Sequence, residues 1–485
     1  MSSDSKLNIA LRAGAATALP IVAMVALYGC MLGPDYVRPP ESPPAAYKET
    51  AGWKIAQPQD TAPRGQWWEV FGDVKLNELE AQVDISNQTI KVAEANVRQA
   101  QALTQAARAA LFPTLSGDVT PTRLKPAAGG RAVNRPGVAN NYNVVLDASW
   151  EIDLWGGIRR NIEASGASAQ ASVADLAAAT LSAQALLAQD YWLLRVVDAE
   201  IALFNATVAA YEKSLQLTKN QYAVGVAGRS DVVQAETQLQ STQAQALDAG
   251  VQRAQLEHAI AILIGKAPAE VSIAAETMRW TFPDIPPGIP SELLERRPDI
   301  ASAERKVAAA NAQIGVAEAA FYPSLTLSAA GGYQSSNIAR LLTSPNQYWS
   351  IGAALAQAIF DAGLRQAQKA QAVAVYDATV ATYRQTVLAG FQEVEDNLAA
   401  LRILEQEATV QDGAVKAARE SVTITNNQYK AGTANYLAVV VVQAAALNNE
   451  RTALDILGRR LTASVGLIKA LGGGWSSAEL AQVQP

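Results

Sequence analysis

A long helical pattern dominates the sequence and occurs twice. From Val173 to Tyr222, and again from Tyr376 to Tyr429, apolar or small residues recur at alternating steps of three and four. This spacing is typical of a helix that packs along one line of contact with its neighbours. Such a helix would be about 100 Å long, at about 1.5 Å per residue. Small and polar residues are frequent along the line of contact, which favours the wall of a helical tube over a solid coiled-coil rod.

Shorter helices precede and follow each long one. A Gln-Tyr-x-x-Gly sequence ends each long helix, at Gly225 and at Gly432, and predicts a tight turn before a return helix. The helices in front of the strands end at aromatic–proline steps such as Tyr322-Pro323, because proline cannot continue the helical hydrogen-bond pattern. The predicted helices cover 74–112, 158–222, 230–264, 298–321, 363–430 and 436–471.

Between the helices the pattern changes to strict alternation, which predicts β-strands. From Tyr142 to Leu154, seven apolar residues alternate with mainly polar ones. Aromatic residues cluster at the strand ends, as in the two girdles of an outer-membrane barrel; core packing of strand ends is the alternative. Four strands cannot close a barrel around a pore, so membrane-spanning strands would have to be pooled by several chains. The predicted strands cover 114–123, 142–154, 324–333 and 347–359.

The order of helices and strands is itself repeated. Glu94 corresponds to Glu304 at an offset of 210 residues, and Gly225 corresponds to Gly432 at an offset of 207. The predicted fold class is mainly α with membrane β, in two tandem repeats that each supply two strands and long helices. The two repeats cover 67–282 and 283–475, and a tail follows over 476–485.

The N-terminal region has the features of a bacterial lipoprotein precursor. Positive residues precede an apolar stretch from Ala13 to Tyr28, and the only Cys of the chain follows as Cys30. We therefore predict a signal peptide over 1–29 and covalent lipid on Cys30, with a plain signal peptide and an incidental Cys as the alternative. Residues 30–66 are rich in proline, which predicts an extended arm.

Composition argues against several classes of function. The 485 residues carry a net charge of −6, which gives no reason to expect nucleic acid as a partner. With one Cys and one His, a single chain cannot build a disulfide framework or a Cys/His metal site. His258 has no second His to work with, and the sequence contains no phosphate-binding loop and no Gly-x-Ser-x-Gly motif. We therefore expect no enzyme activity, and no cofactor other than the lipid on Cys30.

Several motifs occur together in one known family. They are Cys30 followed by Gly33-Pro34-Asp35-Tyr36, then Trp67-Trp68, Arg297-Pro298-Asp299, Tyr322-Pro323, the two Gln-Tyr-x-x-Gly turns and Gly472-Gly473-Gly474-Trp475. This set resembles the TolC-type outer-membrane efflux channels, and most closely their lipoprotein branch, which works with resistance–nodulation–division pumps. The resemblance implies a homotrimer in the outer membrane of a Gram-negative bacterium, with a twelve-stranded barrel and a helical periplasmic tube. Its implied partners are a periplasmic adaptor, an inner-membrane transporter and outer-membrane lipid.

The resemblance also implies a gate at the periplasmic helix turns. Asp231 matches the family's acidic gate position, and Tyr429 resembles the tyrosine that bonds this aspartate in the closed state; Tyr222 is its first-repeat counterpart. Three Asp231 side chains would form a cation-selective ring, with a helix cap as the alternative role. Arg229 is a candidate partner for an acid at the closed tip, or a solvated side chain. Val441 stands where many relatives carry an acid, which favours a more hydrophobic constriction.

Two functions remain in competition at this point. One is a passive exit duct for small molecules, whose substrate the sequence does not identify. The other is a structural coiled-coil lipoprotein that spans the periplasm and has no pore. The two strand pairs with aromatic ends favour the duct, because a rod would not need them.

Overall fold

The computed structural model describes residues 31–40, 43–49, 66–125, 138–276, 282–283, 285 and 296–475. The predicted signal peptide, Cys30 and the C-terminal tail lie outside the described residues. The helices are α1 (Val74–Ser86), α2 (Gln88–Ala109), α3 (Gly157–Ala223), α4 (Arg229–Leu263), α5 (Pro298–Ala319), α6 (Leu364–Lys430) and α7 (Tyr436–Ala470). The strands are β1 (Thr114–Leu124), β2 (Ala139–Ile152), β3 (Ser324–Ser335) and β4 (Gln347–Ala356).

The single helix predicted over 74–112 is wrong, because the structure breaks it at Asn87. The Asn87 backbone is extended, and its side-chain oxygen accepts hydrogen bonds from the backbone N–H groups of Thr89 and Ile90 at 2.9 and 3.1 Å. Its side-chain amide donates to the Leu263 carbonyl at 2.8 Å. Asn87 therefore caps α2 and ties the break to the end of α4, and such a cap competes with continued helix.

Two strands end earlier than their alternation predicts. β2 ends at Ile152 rather than 154, because the carboxylate of Asp153 turns to accept hydrogen bonds from the backbone N–H groups of Ile158 and Arg159 at the start of α3. β4 ends at Ala356 rather than 359. Beyond it the Ala358 carbonyl accepts from the guanidinium of Arg365, which draws the chain into the turn before α6.

The four strands form one antiparallel sheet in the order β1-β2-β3-β4. The register aligns Gly117 with Leu146, Leu146 with Gly331, and Gly331 with Trp349, so the apolar positions of all four strands share one face. On β4 this face is bare, with Trp349, Ile351 and Leu355 exposed by 75%, 78% and 68%. A sheet with one bare apolar face and one mainly polar face is suited to lie between lipid and a wet interior.

Gly332 is the tightest point of this sheet. A Cβ atom added there would lie 2.1 Å from the Val144 carbonyl oxygen and 2.8 Å from the Val145 Cα. We expect Gly332→Ala to force β2 and β3 apart and to lower the stability of the folded protein by about 1–3 kcal/mol. Gly352→Ala is the matched control, since its Cβ would meet only the flexible Ser328 hydroxyl, at 3.3 Å. Thermal unfolding of both variants checks the difference, and equal midpoints would contradict it.

The helical layer is organised around α3. This helix packs against α2, α4, α5 and α7, while α6 packs against α5 and α7. The largest buried cluster lies midway along the long helices and includes Leu76, Tyr191 and Leu461. Trp67–Phe71 is a short 3₁₀ helix whose Phe71 ring lies 5.4 Å from that of Trp192. Among the described residues, we find no helix that combines the length and the apolar character needed to cross a membrane.

Candidate pore gate and membrane face

The two turns that join the paired helices have the same geometry. Gly225 and Gly432 both adopt φ +77°, a conformation that a side chain disfavours. Each glycine N–H donates to a tyrosine carbonyl at 3.0 Å, from Gly225 to Tyr222 and from Gly432 to Tyr429. The next N–H in each turn bonds back to the preceding glutamine carbonyl, which completes a common helix-ending motif. The shared Gln-Tyr-x-x-Gly sequence therefore builds one turn twice.

The tyrosines before these turns nevertheless lie in different environments. Tyr429 is 7% exposed and packs edge-on against Tyr436, with ring centroids 5.4 Å apart. Ala235 of α4 and Val439 of α7 complete this cluster, which joins the two helix pairs near their tips. Tyr222 is 46% exposed. Only the second-repeat tyrosine is therefore a packing residue within one chain.

Tyr429 is joined to α3 by a hydrogen bond whose direction can be assigned. Its hydroxyl lies 3.3 Å from the Thr218 hydroxyl, and both side chains are buried. Thr218 uses its own proton to donate to the Ser214 carbonyl at 3.0 Å. Tyr429 must therefore donate to Thr218. The Tyr436 hydroxyl lies 3.5 Å from that of Ser214. Burial chiefly raises the pKa of Tyr436, so it stays protonated.

Asp231 takes the capping geometry in this structure. Its carboxylate accepts a hydrogen bond from the backbone N–H of Gly228 at 3.1 Å, in the first turn of α4. The described part of one chain contains no hydrogen bond between Asp231 and Tyr429, because the Tyr429 hydroxyl is directed to Thr218. The expected aspartate–tyrosine bond is therefore not formed here. Asp231 is half-buried, and its charge contributes to the raised pKa of Tyr436.

The remaining predicted gate residues lie on the surface of the tips. Arg229 is exposed and forms no ion pair with any residue that the structure describes. Val441 is 59% exposed, while Val439 is fully buried. Sequence reasoning missed Leu437, which is 53% exposed one helical turn before Val441. The spacing of four residues at the start of a helix is a signal that would have identified it. Leu437 and Val441 form an apolar pair on the exposed side of α7.

At the other end of the long helices, aromatic residues mark the passage from helix to strand. The rings of Trp155 and Tyr322 stack with centroids 4.8 Å apart, and the Trp155 indole N–H donates to the Pro323 carbonyl at 2.7 Å. The N-terminal arm begins at this level. The Leu32 N–H donates to the Trp155 carbonyl at 3.2 Å, and Met31, the residue after Cys30, is exposed beside Gly156.

This arrangement of a membrane-type sheet, paired long helices and twinned turns has counterparts among known proteins. The family model described as outer membrane efflux protein matches residues 81–266 and 289–473, most of the chain. The chain belongs to the outer membrane efflux protein family. This is a family of channel and transport proteins, as the motifs of the sequence predict, and the predicted fold class is confirmed.

Named relatives support this placement over nearly the whole length. The chain is 31% identical over 461 residues to the antibiotic efflux pump outer membrane protein ArpC of Pseudomonas putida, covering 94% of this chain and 95% of that protein. It is 31% identical over 420 residues to the pyoverdine export outer membrane protein OpmQ of Pseudomonas aeruginosa, covering 85% of this chain and 88% of that one. These relatives come from Gram-negative bacteria, and this chain is likewise an outer-membrane efflux protein.

Solved structures agree in fold. The outer-membrane channel OprN superposes with a TM-score of 0.85 at 29% identity, covering 92% of this chain and all of that chain. The open-state MtrE channel of Neisseria gonorrhoeae superposes with a TM-score of 0.81 at 27% identity, covering 92% and 98%. The Campylobacter jejuni channel CmeC, at 24% identity and a TM-score of 0.86, shares the fold over 94% of this chain and 98% of that chain.

Proposed function

We propose that three copies of this chain form a closed exit duct, through which small molecules pass passively from the periplasm and from an inner-membrane transporter to the outside. The observation that carries the proposal is a contrast between two matching helices. One is covered on both sides within a single chain, and the other is bare on one side. A closed ring of chains would cover the bare side without any new structural element.

The two matching helices are α2 and α5, which precede the strands of the first and second repeats. Both are 22 residues long. α5 packs between the long helices α3 and α6 and buries 12 of its residues. α2 packs along α3 alone among the long helices and buries only Ile90 and Thr104, leaving Val92 and Leu103 exposed by 61% and 58%. A second copy that places its α6 against α2, as α3 lies against α5 here, would bury this side.

The sheet has the same unfinished edges. β1 and β4 are its outer strands, and β1 is exposed along its entire length. An open edge cannot lie in lipid, because its backbone N–H and C=O groups would have no partners. Pairing β4 of one copy with β1 of the next satisfies both edges. Three copies would give twelve strands, the number that the resemblance implies. The bare apolar face of the sheet also disfavours the pore-free rod, which has no use for a lipid-facing surface.

We place the gate at the helix tips. In a ring of three chains, Leu437 and Val441 are suited to narrow the entrance with apolar side chains, and a hydrophobic constriction can block ions by dewetting. Asp231 adds a negative charge close by, and its cap on Gly228 leaves one carboxylate oxygen free of that bond. Arg229 and Tyr222 lie on exposed surfaces at the same tip, where they would be free to contact a neighbouring chain of the proposed trimer.

We propose that the Tyr429–Thr218 hydrogen bond acts as a latch, meaning that it stabilises the closed state of the gate. A net contribution of about 1 kcal/mol for one buried hydrogen bond corresponds to roughly a fivefold change in the closed-to-open ratio of each chain. We therefore expect Tyr429→Phe to raise the open probability in single-channel recordings by about fivefold or more. Thr218→Val should do the same, and the double variant should add little, because both changes remove one bond.

Thr242→Val is the matched control for the latch. Thr242 is also buried and donates to its own helix, to the Gln238 carbonyl at 2.9 Å, but none of the tyrosines that the structure describes donates to it. Its replacement should leave the open probability unchanged. An unchanged open probability in Tyr429→Phe, or an equal rise in Thr242→Val, would show that the bond does not hold the gate.

The lipid anchor on Cys30 belongs to the same proposal. The arm reaches the stacked rings of Trp155 and Tyr322 only two residues after Cys30, which is the level at which the strands begin. Aromatic residues of this kind mark the water–lipid boundary. Acyl chains on Cys30 would therefore enter the membrane beside the sheet. The intact mass of the purified protein tests the anchor.

The partners and the cargo of the duct are proposed from its relatives. Relatives are outer membrane components of efflux pumps, named for antibiotic, toluene and pyoverdine export. We propose that this chain likewise completes a pump with a periplasmic adaptor and a resistance–nodulation–division transporter. Its cargo would be small molecules, with selection by the transporter rather than by the duct.

Planar-bilayer recording tests the duct directly. The purified protein should give discrete current steps that need no energy source, and cations should carry more of the current than anions. Asp231→Ala should reduce the preference for cations, because it removes one negative charge at the tip of each of the three chains. Absence of current from the protein, from Asp231→Ala and from Tyr429→Phe alike would reject the duct.

A further inference from the structure

The first described residues of the arm lie in a groove between α3 and α5. We call residues 31–38 the arm segment and this surface the α3–α5 groove. The Asn311 amide of α5 donates to the Pro34 carbonyl at 2.9 Å. The Tyr36 hydroxyl donates to the Glu304 carboxylate at 2.6 Å. The segment therefore has a defined register along the helix.

Arg160 of α3 makes the densest set of contacts with the arm segment. It is 1% exposed, although it lies in the first turn of a helix. Its guanidinium donates to the carbonyls of Leu32 and Gly33 at 2.9 and 3.1 Å, and to the carboxylate of Asp35 at 2.8 Å. A fourth bond, at 2.8 Å, goes to Glu163 on its own helix. Charge-assisted bonds of this kind are stronger than neutral ones, and two of them end on arm carbonyls.

Two glycines make the fit specific. Gly33 adopts φ +87°, and a Cβ atom there would lie 2.4 Å from the Cα of Gly315 on α5. A Cβ atom on Gly315 would in turn lie 2.9 Å from the Leu32 carbonyl oxygen and 2.9 Å from the Cγ of Arg160. The arm backbone thus approaches the α5 backbone as closely as glycine permits, and a side chain at either position would displace it.

The matching surface of the other repeat lacks these features. α3 and α6 are both 67 residues long, and aligned end to end they place Ala367 opposite Arg160. α2 and α5, aligned in the same way, place Gln105 opposite Gly315. A surface formed by α6 and α2 would therefore have alanine in place of Arg160 and glutamine in place of Gly315. These differences favour the α3–α5 groove as the docking surface of the arm segment.

We propose that Arg160 is the positioning residue of the N-terminus: it locks the arm segment into the α3–α5 groove and thereby fixes Met31, the residue after Cys30, at the Trp155–Tyr322 level. This inference rests on the proposed lipid anchor for its purpose, since the groove would set the depth at which acyl chains leave the protein. The docking itself depends only on the contacts of the described residues.

Limited digestion with chymotrypsin tests the lock on the full-length, detergent-solubilised protein. Cleavage after Tyr36 releases the N-terminal piece, and it requires the arm segment to leave the groove. We expect Arg160→Met to speed this cleavage at least about tenfold, because the arm loses its charge-assisted bonds. Arg159→Met is the matched control. Arg159 is the adjacent residue and pairs with Asp153 at 3.0 Å rather than with the arm.

A second variant separates arm release from misfolding. Gly33→Ala changes a residue of the arm and no residue of the helices. It should also speed cleavage after Tyr36 at least about tenfold. If Arg160→Met does not fold, Gly33→Ala decides alone. Cleavage rates within twofold of the parent protein in every folded variant would overturn the proposal. The intact mass of the purified protein measures acylation independently. If the protein carries no lipid and the variants are still cleaved faster, the lipid anchor is rejected while the docking of the arm segment by Arg160 is retained.

Discussion

Replacing Glu80 with glutamine should stabilise the protein at neutral and alkaline pH, by about 3 kcal/mol at pH 7. Glu80 lies on α1 and is fully buried, and neither of its carboxylate oxygens has a hydrogen-bond partner among the residues that the structure describes. Burial raises the pKa of Glu80 from 4.5 to about 9, and the charge of Asp84 adds to this rise. The folded protein therefore keeps a proton that the unfolded chain releases.

The direction of the pH dependence follows from this raised pKa. Below pH 4.5 both states hold the proton, and Glu80 costs nothing by ionisation. As the pH rises from 4.5 to about 9, the unfolded chain releases the Glu80 proton while the folded protein keeps it, so the free energy of unfolding falls. Glutamine has nearly the same shape and does not ionise. The gain from Glu80→Gln should thus be small near pH 5 and large near pH 8.

Urea unfolding at pH 5 and at pH 8 measures this gain. Glu78→Gln is the matched control, since the Glu78 side chain lies on the same helix, is 57% exposed and forms an exposed ion pair with Lys75. It should shift the free energy of unfolding little at either pH. A gain from Glu80→Gln that is equal at pH 5 and pH 8, or no gain at all, would show that Glu80 is not a buried neutral acid.

Replacing Arg297 with methionine should have the largest destabilising effect, about 3 kcal/mol. Arg297 is 6% exposed at the start of α5. Its guanidinium reaches Asp299 and Glu393 of α6, both at 2.7 Å, and the Ala470 carbonyl at the end of α7 at 3.1 Å. One buried cation thus joins three helices, and methionine can replace its volume but none of its bonds.

An exposed arginine offers the comparison. Arg459 of α7 is 55% exposed and lies 3.8 Å from Glu407 and 3.9 Å from Asp455. Exposed pairs of this kind contribute about 0–1 kcal/mol, so Arg459→Met should change little. Thermal and urea unfolding of the two variants provide the measurement. If Arg297→Met loses no more stability than Arg459→Met, the three-helix junction is not a stabilising element.

The periodic helices and strands of this fold could be predicted from sequence, because burial on one side of a helix or sheet imposes a regular spacing of apolar residues. The steps of three and four residues along α3 and α6 reflect burial on one side, and the alternation from Tyr142 reflects a sheet with unlike faces. The break at Asn87 could not be predicted, since it depends on the carbonyl of Leu263 far along the chain. Local sequence shows that Asn favours the N-cap of a helix, but it does not show that the helix breaks at this residue.

The gate residues show more clearly what the sequence could not predict. Tyr222 and Tyr429 share one local motif, yet one is exposed and the other is buried, because the second-repeat helices supply Tyr436 and Val439 as neighbours. The role of Thr218 as the acceptor for Tyr429 is likewise invisible in the sequence. Such roles arise from contacts between distant segments, which no periodicity encodes.

In the proposed trimer, each chain forms a third of a closed wall, and neighbouring copies cover α2 and the edges of the sheet. The mass of the detergent-solubilised protein, measured by light scattering after size-exclusion chromatography and corrected for bound detergent, tests it most directly. We predict a particle with about three times the mass of one chain, and no smaller folded species. A stable folded monomer would rule out the closed wall, because its bare helix and open strands would then need no partner.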